Sequence, residues 1–476
     1  MRTLINLLCA LAAVSSAFAA TPVPKVSAPI PVTARSFPFL AADHNLAPTN
    51  LGKSGYVEEE FVVSGAANIY DWAADGSIRV KASAAPFATR ILVRRPVNAA
   101  RFSGNVVVEL LNSVRRFDWS WMWGYTQNRI TENGDAWVGI TLPGGATGLK
   151  TFNAERYAAV SYANVANPPC AGPTEEGLRW DVISQVGALL KSNTAAGPLA
   201  GMPVQALYLT AGQSPDLMTM INAIHSSAVL DNGKPIFDAY LVKQPNNPAR
   251  INQCAMAPGA NDPRRLIANI NVPVVAVFAQ GEVLDGQPFR KADSDAPNSR
   301  FRLYEIAGAA HIDSAAYAGL PSLQEQAATG VMPQGTVDWP ITARCDPDIP
   351  LASSPVMTYT FDAVLASLEE WVRKGIAPPK ATRIELKDGA VALDEFGNGL
   401  GGVRNPYVDV PNGTYTTTSP GPGTCRELGH KIPFDAARMQ TLYGTSYASK
   451  LMQAVIRLVQ EKWLTEPDSR RIDARN

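Results

Sequence analysis

Residues 204–225, VQALYLTAGQSPDLMTMINAIH, constrain this chain more than any other stretch. An apolar, β-rich run from Val204 to Leu209 ends in Thr-Ala-Gly, Gln213 and Ser214 follow, and a helix-like segment starts at Pro215. A strand that turns sharply through small residues into a helix, with serine at the turn, presents a nucleophile beyond the carboxyl edge of a parallel sheet. That pattern asks for G-x-S-x-G. The chain reads Gly212-Gln213-Ser214-Pro215-Asp216. Pro215 has no N–H, yet the residue after such a nucleophile donates one of two oxyanion hydrogen bonds. Losing one donor costs about 10²–10³ in rate. Asp216 adds an anion where a small residue belongs. Ser214 also suits a plainer role: serine at N-cap, proline at N1 and aspartate in the first turn make a common helix start.

The flanking sequence supplies a sheet for this turn. Residues 56–63 (YVEEEFVV) and 87–95 (FATRILVRR) alternate as half-buried antiparallel strands do. Residues 106–111 (VVVELL) form an apolar run broken only by Glu109, which suits a strand covered on both faces. Further strands are expected at 136–141, 237–242, 272–278 and 301–306, with an amphipathic helix at 176–191 and another helix at 364–372. Alternating strands and helices imply a mainly parallel, doubly wound α/β sheet with helices on both faces. This core spans residues 51–378, after an extended lead-in at 21–50. Residues 379–476 read as an extension packed on the core, with a hairpin at 384–394 and one long amphipathic helix at 434–463.

The chain begins with a processing signal. Arg2 precedes an apolar run ending near Val14, and Ala17-Phe18-Ala19-Ala20 supplies the cleavage-type small residues. Residues 1–20 are thus expected to leave a secreted or periplasmic protein, with no membrane association afterwards. Cys170, Cys254, Cys345 and Cys425 then remain, an even number suited to two disulfides. Of the three possible pairings, Cys170–Cys254 with Cys345–Cys425 is the one expected. The spacing does not suggest zinc. Lys plus Arg and Asp plus Glu balance at 42 each, which argues against a nucleic-acid partner.

Acyl transfer needs a serine, a histidine to take its proton and a carboxylate to orient the imidazole. Along the chain the order is Ser214, then Glu282 after the 272–278 strand, then His311 in a loop of small residues after the 301–306 strand. That is the chain order of strand-end triads on parallel sheets. Asp285 is the alternative acid. The second oxyanion donor is expected from the backbone of Leu111 and Asn112. Of four histidines, His44 lies in the lead-in, His430 in the extension, and His225 ends the post-Ser214 helix, where histidine caps carbonyls. A single loop histidine is usually structural, but the ordered partners favour His311 as a base. Glu109 is expected to find Arg115 or Arg116 as its partner. Phe117, Trp119, Trp121, Trp123 and Tyr125 either pack the core, the favoured reading, or line a pocket. No G-x-G-x-x-G follows an early strand, so a dinucleotide enzyme is disfavoured.

Several blocks taken together resemble an exported α/β-hydrolase-domain family: VVVELLNSVRRFDWSWMWGY, DAWVGITLPG, EEGLRWDVISQVGALLK, YLTAGQS before MINAIH, INQCA, FRLYEIAGAAHI and PYVDVPNGTYTTTSPGPGTCRELGHKIPFD. The resemblance covers nearly the whole mature chain. It implies the α/β-hydrolase fold and hydrolysis of a small-molecule carboxylic ester, with no metal or organic cofactor. It further implies Ser214 as nucleophile, Glu282 as acid and His311 as base. The chain is about three residues shorter than the family pattern directly after Ser214. The competing expectation is a non-catalytic binding protein in which Ser214 only caps its helix. Export of the full chain should yield a protein starting at Thr21, read by N-terminal sequencing, whereas retention of residues 1–20 would contradict the cleavage.

Overall fold

The computed structural model describes residues 19–165, 172–268, 270–330, 345, 357–421 and 423–472. Nine strands form one sheet: β1 (Lys25–Val26), β2 (Tyr56–Trp72), β3 (Ile78–Pro96), β4 (Asn105–Leu110), β5 (Ala136–Ile140), β6 (Ala206–Gly212), β7 (Ala239–Lys243), β8 (Ile270–Ala279) and β9 (Ser299–Ile306). Their order is β1-β2-β3-β5-β4-β6-β7-β8-β9. The first four in that order pair antiparallel, and from β5 to β9 every pairing is parallel. Every residue of β4, β5, β6 and β7 is buried, which explains why these strands read as continuous apolar runs.

Helices cover both faces: α1 (Trp121–Asn133), α2 (Pro143–Phe152), α3 (Arg179–Ser192), α4 (Pro215–Thr219), α5 (Ser314–Ala318), α6 (Leu323–Ala328) and α7 (Thr358–Lys374). The 176–191 segment is less amphipathic than its spacing suggests, because α3 is buried from Arg179 to Leu190. Its outer face is covered by the long β2–β3 hairpin: Tyr70 donates to Asp181 at 2.6 Å, and Gln185 donates to the Ala66 carbonyl at 2.7 Å. Local sequence carries no trace of so distant a neighbour.

Glu109, inside β4, does not pair with Arg115 or Arg116 as expected. Its carboxylate accepts from Met122 N at 2.8 Å, Trp123 N at 2.9 Å and Trp137 Nε1 at 3.0 Å. Ser120 makes no side-chain cap, so Glu109 satisfies the open end of α1 from the neighbouring strand. Burial pushes the Glu109 carboxyl up to about 7 against the pull of these donors. The aromatic cluster belongs to the core: Phe117, Trp119, Trp121, Trp123 and Tyr125 are all at most 2% exposed.

Residues after 379 lie directly on the sheet. Ala307 N donates to the Val403 carbonyl, and Trp463 packs edge-on against Tyr304 with ring centres 5.2 Å apart. A short hairpin pairs Leu386–Lys387 with Ala390–Val391, inside the expected 384–394 segment. The expected long helix is two: besides α8 (Pro406–Asp409), the chain forms α9 (Ala436–Tyr443) and α10 (Tyr447–Gln460). Gly444, at φ 55°, breaks the continuity in a conformation glycine tolerates best. Cys345 and Cys425 form a disulfide with Cα atoms 5.3 Å apart. The other expected pair includes Cys170, which lies outside the described residues. Among the described residues no helix is long and apolar enough to cross a membrane. The Cys345–Cys425 bond closes a separation of 80 residues. Cys425→Ser should cost about 2–4 kcal/mol in denaturant unfolding under oxidising conditions, and reductant should erase the difference.

Candidate active site

Two loops at the carboxyl ends of β8 and β9 form the centre of the site. After β8 the chain makes a single tight turn, Gln280–Glu282, in which the Glu282 Oε2 accepts from Ala279 N at 2.8 Å. After β9 come the small residues Ala307-Gly308-Ala309-Ala310. Gly308, at φ 75°, lets its N–H reach Gln280 Oε1 at 2.8 Å, while Gly281 N donates to the Ala309 carbonyl. These cross-links bring His311 Nδ1 to 2.6 Å from Glu282 Oε1. Asp285, the alternative acid, is exposed.

The same Glu282 oxygen also accepts from Nζ of Lys243, the last residue of β7. Burial alone would raise the Glu282 carboxyl. The Lys243 charge, and then the His311 hydrogen bond and charge, outweigh it and hold the group below the usual carboxylate range. Lys243 is the residue that sequence reasoning passes over. Its signal was present: a lone cation closing the apolar strand AYLVK.

Trp121 completes the surroundings. Its ring stands edge-on to His311 with centres 5.2 Å apart, and Lys243 Nζ lies 4.9 Å from its centre. It stacks on Trp119 at 4.2 Å and donates through Nε1 to Tyr125. The indole also covers Gly212, where an added Cβ would come within 2.9 Å of it. Close backbone approach holds α5 against α1: Trp119 Nε1 donates to the Ala316 carbonyl and Ser120 Oγ to the Gly319 carbonyl. A Cβ at Gly319 would lie 2.0 Å from the Ser120 oxygen. Asp313 starts α5, accepting from Ala315 N and Ala316 N, and burial pushes its carboxyl up to about 6.

The structure brings Glu282 and His311 together but does not bring Ser214 to them. The left-handed residue of the turn is Gln213, at φ 47°. Ser214 has extended backbone (φ −112°, ψ 108°), and its Oγ accepts from Leu217 N at 3.2 Å as an N-cap. No hydrogen bond joins it to His311 among the described residues. Ser214 opens instead onto a cleft of about 520 Å³ that it shares with Asn112, Ser113, Gln213, Arg179 and Asp216, and neither Glu282 nor His311 lines that cleft. Asp216 is paired with Arg179. The expected oxyanion donors are both occupied: Leu111 N donates to the Ile140 carbonyl at 3.2 Å and Asn112 N to the Trp119 carbonyl at 2.9 Å.

The other histidines have structural partners. His225 does not cap carbonyls with its ring, which bonds Tyr240 Oη at 2.8 Å and Asn271 Oδ1 at 2.7 Å. His430 Nδ1 lies within hydrogen-bond distance of Thr416 and Ser419, and His44 packs on Phe37. The Glu282 carboxyl titrates below the ordinary value of 4.5, so its stabilising contribution is present above that value and lost as pH falls through the lowered one. Glu282→Gln should therefore lose more stability at pH 7 than at pH 3 in urea unfolding.

No curated protein matches the chain. Among solved structures, a fungal esterase from Rhizomucor miehei is 12% identical, with 58% of this chain and 81% of that one covered and a TM-score of 0.29. A CE15 glucuronoyl esterase from Teredinibacter turnerae is 11% identical over 60% and 74%, with a TM-score of 0.29. Est1E from Butyrivibrio proteoclasticus is 11% identical over 56% and 96%, with a TM-score of 0.24. Likeness this distant carries no argument about substrate. The family model described as an alpha/beta hydrolase domain matches residues 26–474, and the chain belongs to that family.

Proposed function

We propose that this protein is an exported hydrolase of carboxylic esters whose working unit is the Glu282–His311 pair, acting on water as a general base. The observation that carries the reading is the 2.6 Å hydrogen bond from His311 Nδ1 to Glu282 Oε1, across the carboxyl ends of two adjacent parallel strands. With Nδ1 committed to the carboxylate, Nε2 is the nitrogen left to take a proton. A water losing its proton to Nε2 attacks the ester carbonyl, and the imidazolium then returns the proton to the departing alcohol. General-base catalysis of this kind contributes about 10²–10⁴ in rate. Export is supported by the signal-like residues 1–20 and by the Cys345–Cys425 disulfide, which suits an oxidising compartment.

A covalent route through Ser214 is the second reading. One observation favours it: Ser214 and the turn at Asn112 share a cleft, as a nucleophile and its oxyanion loop do. Releasing the cap costs only about 1 kcal/mol, a small barrier for a catalytic rearrangement. The oxyanion side weighs more. With Leu111 N and Asn112 N bonded elsewhere and Pro215 lacking an N–H, the missing stabilisation is on the order of 3–4 kcal/mol per donor.

Turnover of a panel of short-chain aryl esters should separate these readings. In the general-base reading His311→Ala loses about 10²–10⁴ in kcat/KM, and Ser214→Ala stays within about tenfold of the unsubstituted protein, the cost of a lost cap. A fluorophosphonate adduct on Ser214, with activity abolished in Ser214→Ala, would replace it with the covalent route. No turnover and no adduct in the folded protein would identify a binding protein on a hydrolase scaffold.

A further inference from the structure

We propose that Lys243 is a positioning residue of this site: its ammonium holds the Glu282 carboxylate ionised and aimed at His311, and its charge governs how readily His311 accepts a proton. The effect on turnover rests on the reading of His311 as the base. The placement of Lys243 does not.

The geometry leaves Lys243 little else to do. It closes β7 with its side chain fully buried, and its ion-pair partner is Glu282. Glu282 Oε1 takes two donors, Lys243 Nζ and His311 Nδ1, while Oε2 takes Ala279 N. Another side of the ammonium faces the Trp121 ring, so one indole lies against both groups that donate to the carboxylate. An orienting carboxylate normally meets the imidazolium alone, and proton uptake then cancels charge. With Lys243 present the Glu282 carboxylate is already balanced, and proton uptake by His311 adds a second positive charge beside it. Such a charge is disfavoured in a low-dielectric setting, and salt screens it little.

Other titratable groups face the same cluster. Asp313 lies at the start of α5 and feels the Lys243 charge, and Tyr125 on α1 faces both Asp313 and Glu282. From the C-terminal segment, Glu427 offers its backbone carbonyl to Ile312 N, and His430 is engaged by Thr416. None of these supplies a second cation at Glu282.

Removing a positive charge makes every neighbouring group hold protons more tightly, whichever microstate is counted. In Lys243→Met and Lys243→Gln the acid limb of the kcat/KM profile should move to higher pH, and Lys243→Arg should restore it. The same displacement should appear without substrate, in the pH titration of the His311 ring protons followed by NMR and assigned with His311→Gln. Asp313→Asn, combined with Lys243→Met, should leave the displacement in place. Unmoved profiles and an unmoved titration in the folded neutral variants would overturn the proposal. Failure of both neutral variants to fold, with Lys243→Arg folded, would support the need for charge, whereas failure of all three would overturn it in favour of packing. A displaced titration without ester turnover would leave the Lys243 role standing and remove the hydrolase reading.

Discussion

The carboxylate of Glu109 is the constraint from which the site is built outward. A carboxyl group in the middle of a fully buried strand costs several kcal/mol to ionise unless its oxygens are satisfied. Here three N–H groups do so, two of them from the open end of α1. That bond fixes where α1 begins relative to β4. Trp119, Ser120 and Trp121 follow from it: the first two dock α5, and the third lies over Gly212 and against His311. One buried acid in the sheet thus sets the position of an indole that lies against both Lys243 and His311.

The strand-to-helix turn after β6 shows how a one-residue offset redistributes chemistry. The strained backbone falls on Gln213, and Ser214 sits in relaxed extended geometry as a helix cap. The magnitudes are unequal. A cap is worth about 1 kcal/mol, and each missing oxyanion donor about three times as much. What weighs against serine chemistry is therefore the occupied N–H groups rather than the capping bond itself, and among the described residues no hydrogen bond joins Ser214 to His311. Glu282 and His311, by contrast, are held by the Gly308–Gln280 side-chain bond and the Gly281–Ala309 backbone bond between their two loops, and by Lys243.

Much of this was legible in the sequence because burial on both faces leaves an unmistakable trace. The parallel strands read as apolar runs, and their alternation with helices implied the doubly wound sheet. Glu282 and His311 could be chosen because each follows such a strand at its carboxyl end. The partner of Glu109 could not be chosen, since Arg115 and Arg116 are near in sequence whereas the helix end that satisfies it is set by packing. The split between α9 and α10 is not legible in the sequence, because spacing alone carries an apolar stripe across Gly444. Lys243 does not stand out in the sequence because its meaning depends on Glu282, which lies 39 residues away.

By itself the sequence determined the fold class, the strands that carry the site and the acid and base candidates, because hydrophobic periodicity and residue chemistry are local properties. Only the tertiary structure decided which groups meet. It placed Lys243 on Glu282, closed Trp121 over Gly212, occupied the N–H groups of Leu111 and Asn112, and turned Ser214 toward its own helix. Such choices are settled by competition among distant hydrogen-bond partners within a closed volume, and no local pattern records that competition.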